Sequence, residues 1–556
     1  MLVNNDVSKG GVGPQPNGGQ RNAAVGWKDL SMQQGNPPSR RVKGKGRRRV
    51  LVIASVVLLI LLILTSVRVA SVTSNTDDQL TLKVAGQQQA LVDLRQGQPI
   101  SPYLMGVNVF PQAGSSSVDA NFTGFMDYST QIVTGLQGAG VKLLRFPGGN
   151  AGEDHILSCQ QLYDFSNLLN QVNADGMIQA RLSDPIDKFN KKSTVADRAN
   201  LAGRWVDVMS NPRSSFCKGQ IPANATMHPI KFWAVGNEPD QLTNTDTGQK
   251  YTVADYVNAF IQYSLAMHQN NPSIKVFGPE LSQFYGVGVG PKDSTGQLWM
   301  EGFLKGVGDY EKAHHVTLLD GVSFHSYPFQ DAHTAPYLLL SSTQEWEYLL
   351  PQLRQLIRQD LGRDVPVAVT EINTNPSSGR TPTAGEAALW WADTLGTLMN
   401  QQVEYTAYFS AEGVQTPYPL FTGDSSHAQT AMYRVFQIFS HIQHNLLPLA
   451  IEHDPIDVFG TVDDTKQALS LLFVNKSADN QTAEISPQTQ FLGVSAWHSL
   501  DISIAGYSIV LVTMHRNGGA EAYSFTVPNI DTASVNPLKY TTCGNKTDPL
   551  AYDVPC

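Results

Sequence analysis

The sequence predicts an α/β fold: a (β/α)8 TIM barrel with a C-terminal antiparallel β-sandwich domain, preceded by one N-terminal transmembrane helix. Three observations predict it. From about residue 103 short apolar, β-branched runs alternate with helical stretches; after residue 430 the pattern changes to strands separated by tight links; and residues 50–67 carry no charge. At 556 residues, 41% hydrophobic and 16% charged, the chain can hold a barrel and a second domain around large buried cores.

In chain order, residues 1–49 are rich in Gly, Asn, Gln, Pro and Ser and poor in large apolar groups, which predicts a disordered segment. The apolar run over 50–67 is long enough to cross a bilayer as a helix. Arg40, Arg41, Lys43, Lys45, Arg47, Arg48 and Arg49 precede it while Arg68 follows alone, so the positive-inside rule leaves the N-terminus in the cytoplasm. A cleaved secretory signal is the alternative, but signals have shorter apolar regions and shorter leaders. Arg68 also spoils the small-residue site that ends at Ala70. The expectation is a single-pass plasma-membrane protein with its C-terminal bulk outside, on a polar stalk over 68–79.

Charge divides at the same place. Residues 1–49 hold 10 of the 39 basic and 2 of the 48 acidic residues, which leaves 29 against 46, a net −17, in the remainder. An acidic exported part is a poor nucleic-acid binder, and the basic leader suits topology and anionic lipid of the bilayer. Cys159, Cys217, Cys543 and Cys556 all fall on the exported side, where an even number suggests two disulfides. Three pairings are open, and proximity favours Cys159 with Cys217 and Cys543 with Cys556. Five sequons, at Asn121, Asn224, Asn475, Asn480 and Asn545, matter only in a host that glycosylates exported chains.

Residues 80–99 read as strands that join the sandwich. The barrel is assigned to 100–429, with strands expected at 104–109, 141–146, 177–182, 232–235, 274–277, 322–324, 367–370 and 405–409. Continuous apolar character marks parallel strands covered on both faces, and helical spacing over 254–270 and 384–399 supplies the crossovers. A doubly wound open sheet has a similar rhythm but gathers its ligand at one switch point. Residues 430–447 read as a last helix, and alternating runs at 468–474 and 507–512 place the sandwich within 430–516. The Gly-, Asn- and Pro-rich stretch 517–556 is expected to be a tail.

The chemistry-bearing residues sit where the barrel strands stop. Glu238, in Ala234-Val235-Gly236-Asn237-Glu238-Pro239, ends the fourth strand, and Glu371, in Val369-Thr370-Glu371-Ile372-Asn373, ends the seventh. Catalytic groups of such barrels occupy that C-terminal face. Two facing carboxylates are the minimum for cleaving a glycosidic bond, one protonating the leaving oxygen and one attacking the anomeric carbon. Arg145, before Phe146-Pro147-Gly148-Gly149, ends the second strand, where its planar fork can hold a carboxylate anionic and aimed. A salt bridge to Glu153 or Asp154 is its bland alternative. His325 and Tyr327 end the sixth strand and are read as one facing the pocket and the other supporting it. Asn108 and Glu280 are expected sugar-hydroxyl ligands, and Tyr408 or Phe409 a stacking surface for a sugar.

These segments carry a resemblance. Leu-Arg-Phe-Pro-Gly-Gly-Asn, Trp-Ala-Val-Gly-Asn-Glu-Pro-Asp, Ser-Phe-His-Ser-Tyr-Pro and Val-Thr-Glu-Ile-Asn resemble strand ends two, four, six and seven of clan A glycoside hydrolases. The likeness is to the branch holding α-L-arabinofuranosidases, β-xylosidases and heparanase-like β-glucuronidases, over roughly residues 100–515. It implies that Glu238 is the acid/base, Asn237 the ligand of the substrate 2-hydroxyl, Glu371 the nucleophile, and Arg145 and Tyr327 its orienting partners. Many clan members carry tryptophan at the eighth strand end, where this chain has Ala407-Tyr408-Phe409-Ser410, so the floor of the sugar site differs.

The expectation is therefore a membrane-anchored retaining glycosidase acting on carbohydrate through a covalent intermediate, with no cofactor and no metal. A transglycosylase using the same intermediate and a non-catalytic carbohydrate-binding or adhesion barrel are the alternatives. His314, His315, His325 and His333 lack metal-site spacing. Gly286-Val287-Gly288-Val289-Gly290 lacks the Lys-Ser/Thr of a phosphate loop, and no Gly-x-Ser-x-Gly elbow occurs.

Overall fold

The computed structural model describes residues 78–84, 88–113, 125–183, 193–211, 213–329, 336–376, 382–413, 418–451, 453–487, 500–516, 519–527 and 538–543. The basic leader, the apolar run 50–67, most of the stalk and Cys556 lie outside them. Among the described residues no helix is long and apolar enough to cross a membrane.

Eight parallel strands close into a barrel: β1 (Gly106–Asn108), β2 (Leu143–Phe146), β3 (Asp175–Ala180), β4 (Phe232–Val235), β5 (Lys275–Leu281), β6 (Gly321–Ser326), β7 (Val367–Ile372) and β8 (Tyr405–Tyr408). Each strand overlaps an expected run, and β8 pairs with β1 through Tyr408 and Val107. Helices follow the strands in turn: α1 (Thr130–Gly138), α2 (Cys159–Val172), α3 (Val195–Ser210), α4 (Val253–Asn270), α5 (Trp299–His314), α6 (Trp346–Leu361), α7 (Ala384–Asn400) and α8 (Ala431–Phe439). Reciprocal capping boxes, Ser158 with Gln161, Thr194 with Asp197, Thr252 with Asp255 and Thr383 with Glu386, fix where α2, α3, α4 and α7 begin. Fixed helix starts set the lengths of the loops on the C-terminal face.

Side-chain parity divides the barrel into layers. Leu143, Met177, Phe232, Ala234, Phe277 and Ala368 point into the barrel. Their neighbours Leu144, Ile178, Trp233, Val235, Val276 and Val369 point outward and belong to the core shared with the helices. Tyr103 and Tyr405 stack 5.4 Å apart and close the lower end against Phe232.

The second unit of architecture is two antiparallel sheets. Strand Gln79–Val84 lies between Gln88–Asp93 and Gln481–Pro487, with Leu500–Ile504 beyond. The other sheet has seven strands, with Ala468–Asn475 and Ser508–His515 paired at its centre. Leu82, Val92, Leu471, Phe473, Ile485, Ile502 and Val512 form one apolar cluster contributed by both sheets.

Two sequence expectations need correction here. The helix read over 430–447 stops at Phe439 and is the eighth barrel helix; Asn445–Leu447 is a strand paired with Ile456–Val462. Apolar spacing continues through Ile442, Leu446 and Leu447, so helix and buried strand are indistinguishable by period over so short a run. The stretch read as a tail also supplies two strands, Ala520–Thr526 and Lys539–Cys543, to the seven-stranded sheet. Their alternation was obscured by the Gly, Asn and Pro residues around them. Asn475 is fully buried and its amide donates to the carbonyls of Asp479 and Ala505, so that sequon is closed to a glycan in the folded chain.

Cys159, at the start of α2, is bonded to Cys217 beyond α3, 58 residues away. Cys543 ends a described strand, but its expected partner Cys556 does not belong to the described residues. A closed loop of that size removes about 4 kcal/mol of unfolded-chain entropy in the chain-entropy account. Replacing both Cys159 and Cys217 by alanine should therefore lower the unfolding free energy by about 2–4 kcal/mol, measured by urea denaturation. An unchanged denaturation midpoint would contradict a stabilising bridge.

Candidate active site

On the C-terminal face of the barrel, strand parity and three irregularities bring charged side chains together. Arg145 keeps the parity of Leu143 and points inward, and register sets it beside Asn108 of β1. His325 and Tyr327 share a parity too, because residues two apart on a strand face the same side. Both reach the site, where the sequence reading had one face the pocket and the other support it.

Glu371 has the wrong parity, since Ala368 points inward. Register shifts between Phe324 and His325 against β7, and between Val369 and Ile372 against β8, insert one residue and turn Glu371 into the barrel opposite His325. Glu280 is turned inward by a matching shift between Pro279 and Leu281. Glu238 and Glu280 both take left-handed backbone, φ 46° and 58°, and the Glu238 N–H donates to the Glu280 carbonyl at 2.8 Å. Two neighbouring non-glycine residues in that region mark strain held at a functional site.

The Arg145 guanidinium is the hub. Its Nη1 donates to Glu371 Oε1 and Asn108 Oδ1, both at 2.9 Å, and its Nη2 to Glu280 Oε2 at 2.8 Å and Asn237 Oδ1 at 2.9 Å. Tyr327 Oη donates to the second oxygen of Glu371 at 2.8 Å. His325 Nδ1 lies 3.0 Å from Glu238 Oε1 and 3.5 Å from Glu371 Oε2, with Nε2 3.5 Å from Glu280. One oxygen of Glu238 lies within 4.8 Å of one of Glu371. Glu238 is the more accessible, its side chain 18% exposed against 5% for Glu371.

Electrostatics follow from this packing. Burial opposes ionisation of Glu280, yet Arg145 and His325 hold its carboxyl down at about 2. Burial likewise disfavours the His325 imidazolium, but Glu371, Glu238 and Glu280 around it raise it to about 10. Burial and the two facing glutamates push the Tyr327 phenol well up, so it stays a hydrogen-bond donor. Glu238, His325 and Glu371 are the group of three that could present donor atoms to a metal among the described residues. Arg145 on one oxygen of Glu371 and Tyr327 on the other leave that set suited to sharing protons rather than to holding a cation.

Three expected sugar ligands are instead engaged by the protein itself. Asn108 spends its amide on the carbonyls of Thr370 and Ala407 and its oxygen on Arg145. Glu280 is wholly buried under Arg145 and His325. Tyr408 has outward parity and packs against Trp391 and Phe436, its hydroxyl donating to the Tyr418 carbonyl. Glu153 is no partner of Arg145; it accepts from the backbone of Leu182 and Ser183 at the end of β3.

Sequence reasoning missed Gln283, whose Oε1 accepts from the Tyr327 N–H at 2.9 Å, and Asn150, which accepts from Asn237 Nδ2 at 3.1 Å. Gly149 explains part of its own motif: at φ 63° a Cβ there would meet Phe409 at 3.1 Å and Glu371 Oε1 at 3.2 Å.

The model of glycoside hydrolase family 44 matches residues 171–330, which include Glu238 and His325. The barrel of this chain is similar in fold to those of clan A glycoside hydrolases. An α-L-arabinofuranosidase from Thermotoga maritima is 16% identical, with a TM-score of 0.58 over 82% of this chain and 95% of that one. CelM2, a bifunctional glucanase-xylanase from a metagenome library, is 14% identical, with a TM-score of 0.52 over 78% and 99%. A family 44 xyloglucanase from Paenibacillus polymyxa is 13% identical, with a TM-score of 0.50 over 76% and 98%. No curated protein sequence matches the chain. The clan resemblance expected from the strand-end motifs is borne out, and the structural likenesses are likenesses of fold.

The shifted groups make stability depend on pH. Glu280 sits at about 2 against an ordinary 4.5, so its contribution is full above pH 4.5 and lost as pH falls through 2. His325 sits at about 10 against 6.5, so its contribution is full below pH 6.5 and lost as pH rises through 10. Urea midpoints of the wild-type chain should fall across that upper window, and His325→Asn should remove this part of the descent. An identical pH profile in the variant would contradict a charged, buried His325.

Proposed function

We propose that this clan A barrel is a retaining glycosidase working by double displacement on oligo- or polysaccharide. The observation that carries the reading is the facing pair, Glu238 and Glu371, with an oxygen of each within 4.8 Å. Retaining enzymes hold their carboxyls about 5–5.5 Å apart, whereas inverting ones leave about 6.5–9.5 Å for a water.

Glu371 attacks the anomeric carbon, held ionised and aimed by Arg145 and Tyr327. Glu238, more open to solvent, gives a proton to the departing oxygen; a glycosyl ester to Glu371 forms as the glycosidic bond breaks. Glu238 then takes a proton from water, whose oxygen attacks the anomeric carbon and releases Glu371. Charged His325 at 3.0 Å steadies the Glu238 carboxylate after it has given up its proton. Asn237, with its oxygen held by Arg145, keeps an amide proton for the substrate 2-hydroxyl, as the clan resemblance implies.

Supporting the location reading are the uncharged run 50–67, the basic residues before it and the disulfide of the barrel. The protein is anchored in the plasma membrane with its barrel outside. Alkaline carbonate should leave it in the membrane pellet and detergent should release it; release by carbonate would contradict the anchor.

Glu371→Gly should lose measurable turnover and regain part of it with azide, yielding the glycosyl azide of inverted configuration. Glu238→Ala should slow substrates with poor leaving groups by about 10²–10⁴ and aryl glycosides with good ones far less. Wild-type rates in either variant would contradict the assignment, which a panel of nitrophenyl glycosides reads directly.

A further inference from the structure

The loop after β5, the end of β6 and the start of α6 enclose a cavity of about 470 Å3 beside the catalytic centre, within the range of about 300–1,000 Å3 usual for small-molecule sites. Its wall is aromatic, with Tyr285 from the loop, Trp346 and Tyr348 from α6 and Trp390 from α7. The tryptophans are packed into the wall, whereas Tyr285 and Tyr348 are 54% and 72% exposed. Large ring faces left in water around a cavity mark a surface built to be covered by a ligand.

The polar part of the lining decides what covers it. Glu345 and Gln352 contribute a carboxylate and an amide, and among the described residues no Lys, Arg or His lines the cavity. Among the described residues nothing bonds the Glu345 carboxylate, and desolvation alone lifts its pKa. It is an open acceptor that sugar hydroxyls can satisfy. A pyranose fits such walls, with an apolar C–H face for a tyrosine ring and a hydroxyl rim for amide and carboxylate. A uronate or sulfated sugar would set an unpaired anion beside Glu345.

The cavity and the catalytic centre share a wall at the end of β6. Ser326 and Pro328 line it and bracket Tyr327, which bonds the Glu371 carboxylate. Gln283 lines it as well while accepting from the Tyr327 N–H.

We infer that this cavity is a second sugar-binding site, holding uncharged residues of the glycan chain whose bond lies between Glu238 and Glu371. The identity of that chain as substrate rests on the glycosidase reading; the binding itself does not. Trp346 and Trp390 supply an optical signal, so the test needs no turnover. Cellohexaose and xylohexaose are titrated against the whole chain by tryptophan fluorescence, with tetragalacturonate as the charged control and nitrophenyl monoglycosides assayed in parallel.

A neutral hexasaccharide should shift the emission, and Tyr285→Ala with Tyr348→Ala should weaken its binding and its kcat/KM roughly tenfold. Monoglycoside turnover in the double variant should stay within about twofold of wild type. Equal hexasaccharide binding in variant and wild type overturns the site, as does silence of both neutral probes in a chain that cleaves monoglycosides. Equal binding of tetragalacturonate overturns the assignment to uncharged sugar. A tyrosine-dependent emission shift in a chain that cleaves nothing supports the site and removes the glycosidase reading instead.

Discussion

One buried guanidinium holds the site together. Arg145, projecting from β2, donates four hydrogen bonds to Asn108, Asn237, Glu280 and Glu371, side chains set on or just beyond β1, β4, β5 and β7. It ties five of the eight strands at the face where the barrel is most irregular. Removing one partner from a buried ion pair costs about 3–5 kcal/mol, because the other charge is left without compensation. Here one arginine compensates two carboxylates. A lysine could not replace it, since the contacts need a planar fork that donates in several fixed directions.

That hub explains how the chain tolerates its own strain. The shifts in register at Glu280 and before Glu371, and the left-handed backbone of Glu238 and Glu280, are each unfavourable locally. Each is stabilised by what it delivers, a carboxylate brought to a fixed cation. Three glutamates then face two cationic groups, Arg145 and His325, and the set is one positive charge short of neutrality. Of the three carboxyls, Glu238 is the one most open to solvent. A site with a vacancy for one proton is suited to acid and base work in turn.

The eight strands were legible because parallel strands buried on both faces leave unbroken apolar runs, and the strand-end motifs were legible because the barrel places its polar groups there. Arg145 could be read as a carboxylate clamp, since its parity is regular. The roles of Glu280 and Asn108 could not. Whether a polar residue at a strand end meets the ligand or supports a neighbour depends on a one-residue bulge, which leaves no mark in composition or period. Tyr408 failed for the converse reason: its strand is regular, and parity counted from Tyr405 would have turned it outward. Gln283 acts through a contact with the Tyr327 backbone on another strand, which sequence spacing does not encode. The strands at 520–526 and 539–543 were hidden by glycine, asparagine and proline around short alternating runs.

In the double displacement proposed above, Glu371, and none of the carboxylates around it, forms the bond to the sugar. The direct measurement is covalent trapping: incubation with a 2-deoxy-2-fluoro glycoside bearing a good leaving group, matched to the best monoglycoside substrate, followed by peptide mapping. One fluoro-sugar should be added per chain, attached as an ester to Glu371. A label on Glu238 or Glu280, or hydrolysis of the parent glycoside with inversion at the anomeric carbon, would contradict it.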